Sequence, residues 1–337
     1  MTTIEDVARL AGLSRTTVSR VINNHPYVSK TKKKLVLEAM EELGYVPNSA
    51  ARSLRNQRTG VIAVFIPRVM NPFFSQLIEI LEMAASEKEY QLIVCQTLYS
   101  KTKELAYLNL LKTRQVDGVI MTSMSNSWEI IQPFLDYGPI VLCNEYEDQA
   151  TVPMIYIDQY EAGYLATKHL IDQGHEKIAY CCGRYASNVA AAREKGFKKA
   201  LQDARLPFLE EYAFRTAFQC SDGKQVFEKI QYMEEKPTAI FTGSDELAAG
   251  IIAEAKKSGW SIPEDLAVIG FDNQKITELM DPMITTVHQP LEEMGNKTLS
   301  VMMEKIHSKN YARKEIHQFY IDLIVRESTV SRNLISL

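Results

Sequence analysis

Arg15, Thr16, Ser19, Arg20 and Asn23 lie within nine residues. If that stretch is helical, they share a roughly 140° arc of its surface. The chemistry open to such a face is directional hydrogen bonding. An arginine fork matches guanine O6 and N7, and Thr, Ser and Asn reach base edges or phosphates. Val18, Val21, Ile22 and Thr17 fall on the other side, so one face can pack while the other stays available. A polar helix face is ordinarily only a solvated one. This face carries almost no Lys or Glu, follows the tight Ala11-Gly12-Leu13 stretch, and stands in a basic segment.

Two further helices are needed to hold that face. Thr3-Ile4-Glu5-Asp6 resembles a capping box, with Ile4, Val7, Ala8 and Ala11 following at helical spacing. Ser14 is placed to cap the polar helix. A third helix is expected from near Ser29, with Val36, Ala39, Met40 and Leu43 on one face and Gly44 as its stop. The lysines among residues 30–34 sit at its start, where they can touch phosphates without reading sequence. Residues 1–59 carry ten Lys/Arg against five Asp/Glu, a net of +5, within a chain of formal charge −4, so the remainder carries −9. A basic head on an acidic body points to a polyanionic partner for the head alone.

Residues 48–56 (Asn48 to Asn56) form a short amphipathic stretch with Asn48 as N-cap and Ala50, Ala51 and Leu54 on one face. So few residues do not hold a helix alone in water; such a segment forms against a twin, against DNA, or both. Leucine wedges are used to open minor-groove base steps.

From Gly60 onward, short apolar β-branched runs alternate with amphipathic stretches: 61–66, 92–95, 119–121, 140–143, 154–157, 178–182, 239–242 and 267–271. That alternation predicts parallel α/β sheets. Roughly 270 residues exceed one such sheet, so two lobes are expected. Ligands of these sheets bind beyond the carboxyl ends of the strands. The segments Asn71-Pro72-Phe73-Phe74, Asn144-Glu145, Ser244-Asp245 and Asp272-Asn273 occupy such places. Each can equally cap a helix; together they outline a cleft rim.

Other chemistries find little support. No G-x-G-x-x-G, G-x-x-x-x-G-K-[ST] or G-x-S-x-G occurs, so an enzyme is not expected. The six histidines have no ligand spacing and the five cysteines no C-x-x-C, so neither a metal nor a cofactor is expected. The apolar runs are short and MTTIEDVARL lacks a secretory pattern, so the expected location is the cytoplasm, in association with the nucleoid.

The run I-x-D-V-A-x-x-A-G-L-S-x-x-T-V-S-R-V-I-N, ending in Y-V-P-N-S-A-A-R-S-L, resembles the head of the LacI/GalR family of bacterial regulators. The body continues the resemblance in family order with N-P-F-F, Q-V-D-G-V-I, G-H-E-K-I-A, P-T-A-I-F, I-P-E-D-L-A-V-I-G-F-D-N and T-T-V-H-Q-P. The resemblance implies a small all-α helix-turn-helix head plus an α/β body of two Rossmann-like lobes, like a periplasmic binding protein. The domains are then residues 1–47 (DNA binding), 48–59 (hinge helix and linker), 60–160 with 291–321 (N-terminal lobe), and 161–290 with 322–330 (C-terminal lobe).

It further implies a dimer on a pseudo-palindromic operator, repression as the mode, and a small effector, sugar-like or another metabolite, in the cleft. The candidate DNA contacts are Thr3, Ser14, Arg15, Thr16, Ser19, Arg20, Asn23, Asn48, Ala51, Leu54 and Arg55, with Leu54 intercalating. The candidate effector contacts are Phe73, Phe74, Asn144, Glu145, Arg193, Phe218, Asp245 and Asp272. Arg193 is marked by R-x-x-G-F; the alanines at 190–192 depart from the polar contacts common in relatives. The tail SRNLISL is too short for a tetramerising heptad coil. A protein co-regulator, such as the phosphorylated phosphocarrier used by one branch of the family, is the alternative to a small effector.

Overall fold

The computed structural model describes residues 2–23, 25–46, 58–183, 187–217, 219–308 and 311–330. The candidate contacts Asn48, Ala51, Leu54, Arg55 and Phe218 lie outside the described residues. Residues fall into two compact units, Met1–Thr59 and Gly60–Leu337.

The first unit has three helices, α1 (Ile4–Leu10), α2 (Arg15–Ile22) and α3 (Lys30–Glu42). Each start is fixed by a hydroxyl. Thr3 and Asp6 form a reciprocal capping box, Ser14 accepts from the Thr17 amide, and Ser29 accepts from the Lys32 amide. Gly12 turns the chain between α1 and α2 at φ +63°, a conformation that glycine adopts without penalty. Val7, Ala8, Val18, Val21, Val36 and Ala39 make the core, with Leu13, Met40 and Leu43 packed on it.

The second unit holds two six-stranded sheets. The first contains β1 (Val61–Ile66), β2 (Gln91–Gln96), β3 (Gly118–Met121), β4 (Ile140–Cys143), β5 (Pro153–Ile157) and β11 (Glu315–Phe319), in the order β2-β1-β3-β4-β5-β11. All its pairings are parallel. The second contains β6 (Ile178–Cys181), β7 (Ala213–Phe214), β8 (Ala239–Thr242), β9 (Ala267–Phe271), β10 (Thr285–His288) and β12 (Asp322–Ile324), in the order β7-β6-β8-β9-β10-β12. Only β12 runs antiparallel, to β10.

The central strands are buried throughout, as sheets covered on both faces require. The chain leaves the first sheet after Ile157, returns to it after His288, and passes to the second again between β11 and β12.

Helices deliver the cleft residues. α4 (Pro72–Ser86) starts with the Asn71 side chain accepting from the Phe73 amide and Pro72 in its first turn, so Asn-Pro-Phe-Phe is both a helix start and a cleft edge. α5 (Lys101–Lys112) and α6 (Trp128–Ile131) cover the opposite face of the sheet, packed against Ala63, Phe65, Val119 and Met121. α7 (Gln159–Asp172) and α8 (Asn188–Asp203) lie against each other at two glycines. A methyl group at Gly163 would overlap the Arg193 carbonyl, and one at Gly196 the Tyr160 carbonyl. α9 (Cys220–Gln231), α10 (Asp245–Lys257), α11 (Ile276–Leu279) and α12 (Leu291–His307) follow.

The apolar runs read from sequence appear as β1–β6, β8 and β9. The short strands β7, β10, β11 and β12 were not among the expected ones. No helix among the described residues is long and apolar enough to cross a membrane. Because the α7–α8 contact is backbone on backbone, Gly196→Ala should destabilise the body by about 1–3 kcal/mol. A lowered urea midpoint would register it; an unchanged one would show that the two helices separate at no cost.

Candidate functional site

In the head, α2 turns Arg15, Thr16 and Arg20 outward, leaves Ser19 and Asn23 half-buried, and buries Val18 and Val21. Arg15 pairs with Glu5 at 3.1 Å, with both side chains well exposed. An exposed pair of this kind is worth little and exchanges readily for a phosphate or a base. Asn23 donates to the Ser19 carbonyl. Thr3 and Ser14, though exposed, use their hydroxyls as helix caps, so they position α1 and α2 whatever else they touch.

In the body, a cavity of about 100 Å³ opens where the carboxyl ends of both sheets converge. Phe73, Phe74, Asn144, Glu145, Arg193 and Asp272 all line it. The two phenylalanine rings meet edge to face, 5.1 Å between centroids.

Asp245, expected among the effector contacts, does not line this cavity. Its Oδ1 accepts from Thr286 Oγ1 at 2.6 Å and its Oδ2 from the Gln274 amide at 2.7 Å, inside the second lobe. It is wholly buried at the start of α10, packed so closely that Gly270 opposite has no room for a Cβ. Neighbouring Ser244 caps α10.

Arg193 is held from three directions. Its Nε donates to Gln159 Oε1 at 2.7 Å and its Nη1 to the Gly243 carbonyl at 3.1 Å. The guanidinium carbon lies 3.4 Å from the centroid of Phe271. Gln159 Nε2 in turn donates to Asn144 Oδ1 at 3.1 Å, so a hydrogen-bonded string runs from the end of β4 in one lobe to α8 in the other.

Opposite, Gln289 Nε2 donates to Asp272 Oδ1 at 2.6 Å. Burial pushes the Asp272 carboxyl up to about 6, with Arg193 and the Gln289 hydrogen bond pulling it down. Burial pushes the Glu145 carboxyl further, to about 8; its bond from the Met124 amide opposes this, and Glu104 and Glu147 add to it. Cys182, also in the wall, is raised by burial to about 11, which keeps it an inert thiol.

Backbone strain collects at the same rim. Tyr99, Asn144 and Asp272 hold φ of +57°, +66° and +98°. Such conformations in non-glycine residues cost free energy and cluster at functional sites.

Not expected from the sequence were the wall residues Tyr99, Thr122, Ser123, Cys182 and Gln289, or Gln159, which holds Arg193. A usable signal existed for two of them, since Gln159 and Gln289 each follow a strand at a crossing between lobes.

Comparison with known proteins agrees with this division. The family model for "Periplasmic binding proteins and sugar binding domain of LacI family" matches residues 59–327, and that for "Bacterial regulatory proteins, lacI family" matches residues 3–48. The NTD biosynthesis operon regulator NtdR of Bacillus subtilis (strain 168) is 46% identical over 329 residues, 98% of this chain and 100% of that protein. The HTH-type transcriptional repressor PurR of Vibrio parahaemolyticus is 34% identical, covering 99% of this chain and 100% of its own. Among solved structures, the transcriptional regulator CelR–cellobiose complex superposes with a TM-score of 0.70 at 28% identity, over 97% of this chain and all of that one.

The Glu145 carboxyl has a pH consequence. Its ordinary value is 4.5 and its folded value about 8, so across that window the unfolded chain has lost a proton that the folded one keeps. Stability therefore falls as pH rises from about 4.5 to about 8. Asp245 and Asp272 shift in the same direction, so the difference between wild type and Glu145→Gln isolates Glu145. The variant's melting temperature should drop less than wild type's between pH 6 and pH 8; parallel curves would show that Glu145 ionises normally.

Proposed function

The chain belongs to the LacI family of bacterial regulatory proteins, and on that footing we propose that it is a repressor whose hold on operator DNA is set by a small polar ligand in the inter-lobe cleft. It is a DNA-binding transcription regulator with an effector-binding body. The observation that carries the ligand-gated reading is the string Asn144–Gln159–Arg193, which joins the two lobes and whose two ends, Asn144 and Arg193, line one cavity. A ligand that engages Arg193 and Asp272 on one side and Asn144 and Glu145 on the other binds the closed cleft better than the open one. That difference in affinity is what shifts a conformational equilibrium.

On this reading the division of labour follows the boundaries drawn from sequence. Residues 1–47 bind DNA, 48–59 act as hinge and linker, 60–160 with 291–321 form the N-terminal lobe, and 161–290 with 322–330 form the C-terminal lobe. Arg15, Thr16, Ser19, Arg20 and Asn23 face the major groove, and Leu54 is the minor-groove wedge at the centre of a pseudo-palindrome.

The assembly is a homodimer. Support comes from an apolar surface on the first lobe, where Met70, Met83, Ile93, Val94 and Leu98 are all exposed around the edge strand β2. The body performs no catalysis, and the protein works in the cytoplasm on nucleoid DNA.

Two outcomes test this. Arg20→Ala should weaken binding by about 1–3 kcal/mol at one base pair of each operator half-site and leave discrimination at other positions unchanged. A loss spread evenly over all sequences would make Arg20 a phosphate contact. Because coupling is reciprocal, operator DNA must change effector affinity by the factor by which effector changes operator affinity. Fluorescence anisotropy titrations with and without the partner ligand read that factor from both sides, and a factor of one, with effector bound and operator affinity unchanged, would sink the two-site scheme.

A further inference from the structure

The cleft contains polar atoms for which the protein supplies no partner. Among the described residues, Glu145 Oε2, Gln289 Oε1 and Ser123 Oγ are buried without a hydrogen bond. Glu145 and Gln289 are each only 2% exposed, Ser123 5%, and all three line the same cavity. Gln289 Oε1 can only accept, and Glu145 Oε2 only accepts once its carboxyl is ionised, so a ligand that meets both in that state must bring hydrogens.

The charges sharpen this requirement. Among the described residues, the ionisable side chains in the wall, apart from the tyrosine and the cysteine, are Glu145, Asp272 and Arg193. Arg193 acts on Asp272, lowering its carboxyl. Among the described residues Glu145 has no such cation: the charged neighbours acting on it, Glu104 and Glu147, are both acidic. Glu104 is itself occupied, taking the Ser125 and Asn126 amides at 2.8 and 2.9 Å. Glu145 is tied to the protein only through Oε1, at 3.3 Å from the Met124 amide. A carboxylate shut away from water without a cation costs several kcal/mol, and a cation brought to it recovers much of that. A neutral hydroxyl supplies one hydrogen and no charge; an ammonium supplies three and the charge.

We propose that the effector is an aminated carbohydrate whose protonated amine is received by Glu145, with Gln289 Oε1 and Ser123 Oγ as further acceptors on the same wall. The carbohydrate part rests on the reading of this cavity as the effector site and on the sugar-binding family model that matches the body. The amine rests on Glu145.

Calorimetry on the full chain tests it, with D-glucose and its 2-, 3-, 4- and 6-amino-deoxy derivatives as probes. At least one amine should bind tenfold or more tighter than glucose, and Glu145→Gln should bring that ratio close to one. Glucose binding as tightly as every amine would overturn the proposal while leaving the cleft a sugar site. An amine preference that survives in Glu145→Gln would overturn the role of Glu145. Silence from all five would overturn the aminated carbohydrate and the sugar assignment together. The comparison among wild-type affinities does not depend on the variant folding, and a melting curve reports whether it does.

Discussion

The stacking of Arg193 on Phe271, 3.4 Å from guanidinium carbon to ring centroid, is the contact on which the cleft depends. A cation on an aromatic face is worth about 0.5–2 kcal/mol, but its larger effect here is on direction. With its flat face pinned, the guanidinium can reach Gln159 and the Gly243 carbonyl only in its own plane, and it does so at 2.7 and 3.1 Å. The remaining charge compensates Asp272 at the end of the neighbouring strand. None of this is possible unless α8 approaches α7 closely enough to put Arg193 at the sheet ends, and Gly163 and Gly196 permit that approach. Helix packing, ring stacking and charge balance thus form one dependent chain, from a glycine contact to an orienting cation.

The two lobes contribute unlike chemistry. The first brings the edge-to-face pair Phe73–Phe74, the amide Asn144 and the carboxyl Glu145; the second brings Arg193 and Asp272, whose carboxyl is raised by burial and drawn part of the way back by the guanidinium. Gln289 sits where the chain returns to the first lobe and binds Asp272 of the second. Groups placed at crossings change their neighbours when the lobes move, whereas groups deep in either sheet do not. Ligand contacts there are the ones able to discriminate between open and closed arrangements.

Much of this was legible in the residues. The three head helices follow from their caps and from Val18 and Val21 at helical spacing, because short-range rules govern so small a unit. The apolar runs became strands, since a four-residue run such as Ile140–Cys143 with every side chain buried leaves little choice. Arg193 was marked by R-x-x-G-F, and the structure supplies the physical reason for the glycine: position 196 faces the Tyr160 carbonyl. The failures have physical reasons too. Asp245 reads like a cleft acid because it follows a strand, yet its helix turns it inward to Thr286, a partner 41 residues away that no local pattern reveals. Gln159 and Gln289 carry no local sign of burial, because it arises only when two sheets meet. Strand β11 alternates half-buried and exposed positions at a sheet edge, so it lacks the apolar run that betrays the others.

Glu145 shows how a local liability becomes a source of coupling. A carboxyl held at about 8 is a group the fold accommodates poorly in its charged form. Nearby, Asn144 and Asp272 occupy backbone conformations that side chains ordinarily avoid. A sheet end optimised for stability alone would carry glycine at such turns and an amide in place of the acid. Free energy withheld from the fold in this way is recoverable when a ligand supplies the missing partners, and only in the arrangement where both lobes reach it. A ligand that merely filled volume would be indifferent to that arrangement. One that satisfies Glu145 and Arg193 together has a free-energy reason to hold the cleft in one state, and a regulator needs that difference more than it needs tight binding as such.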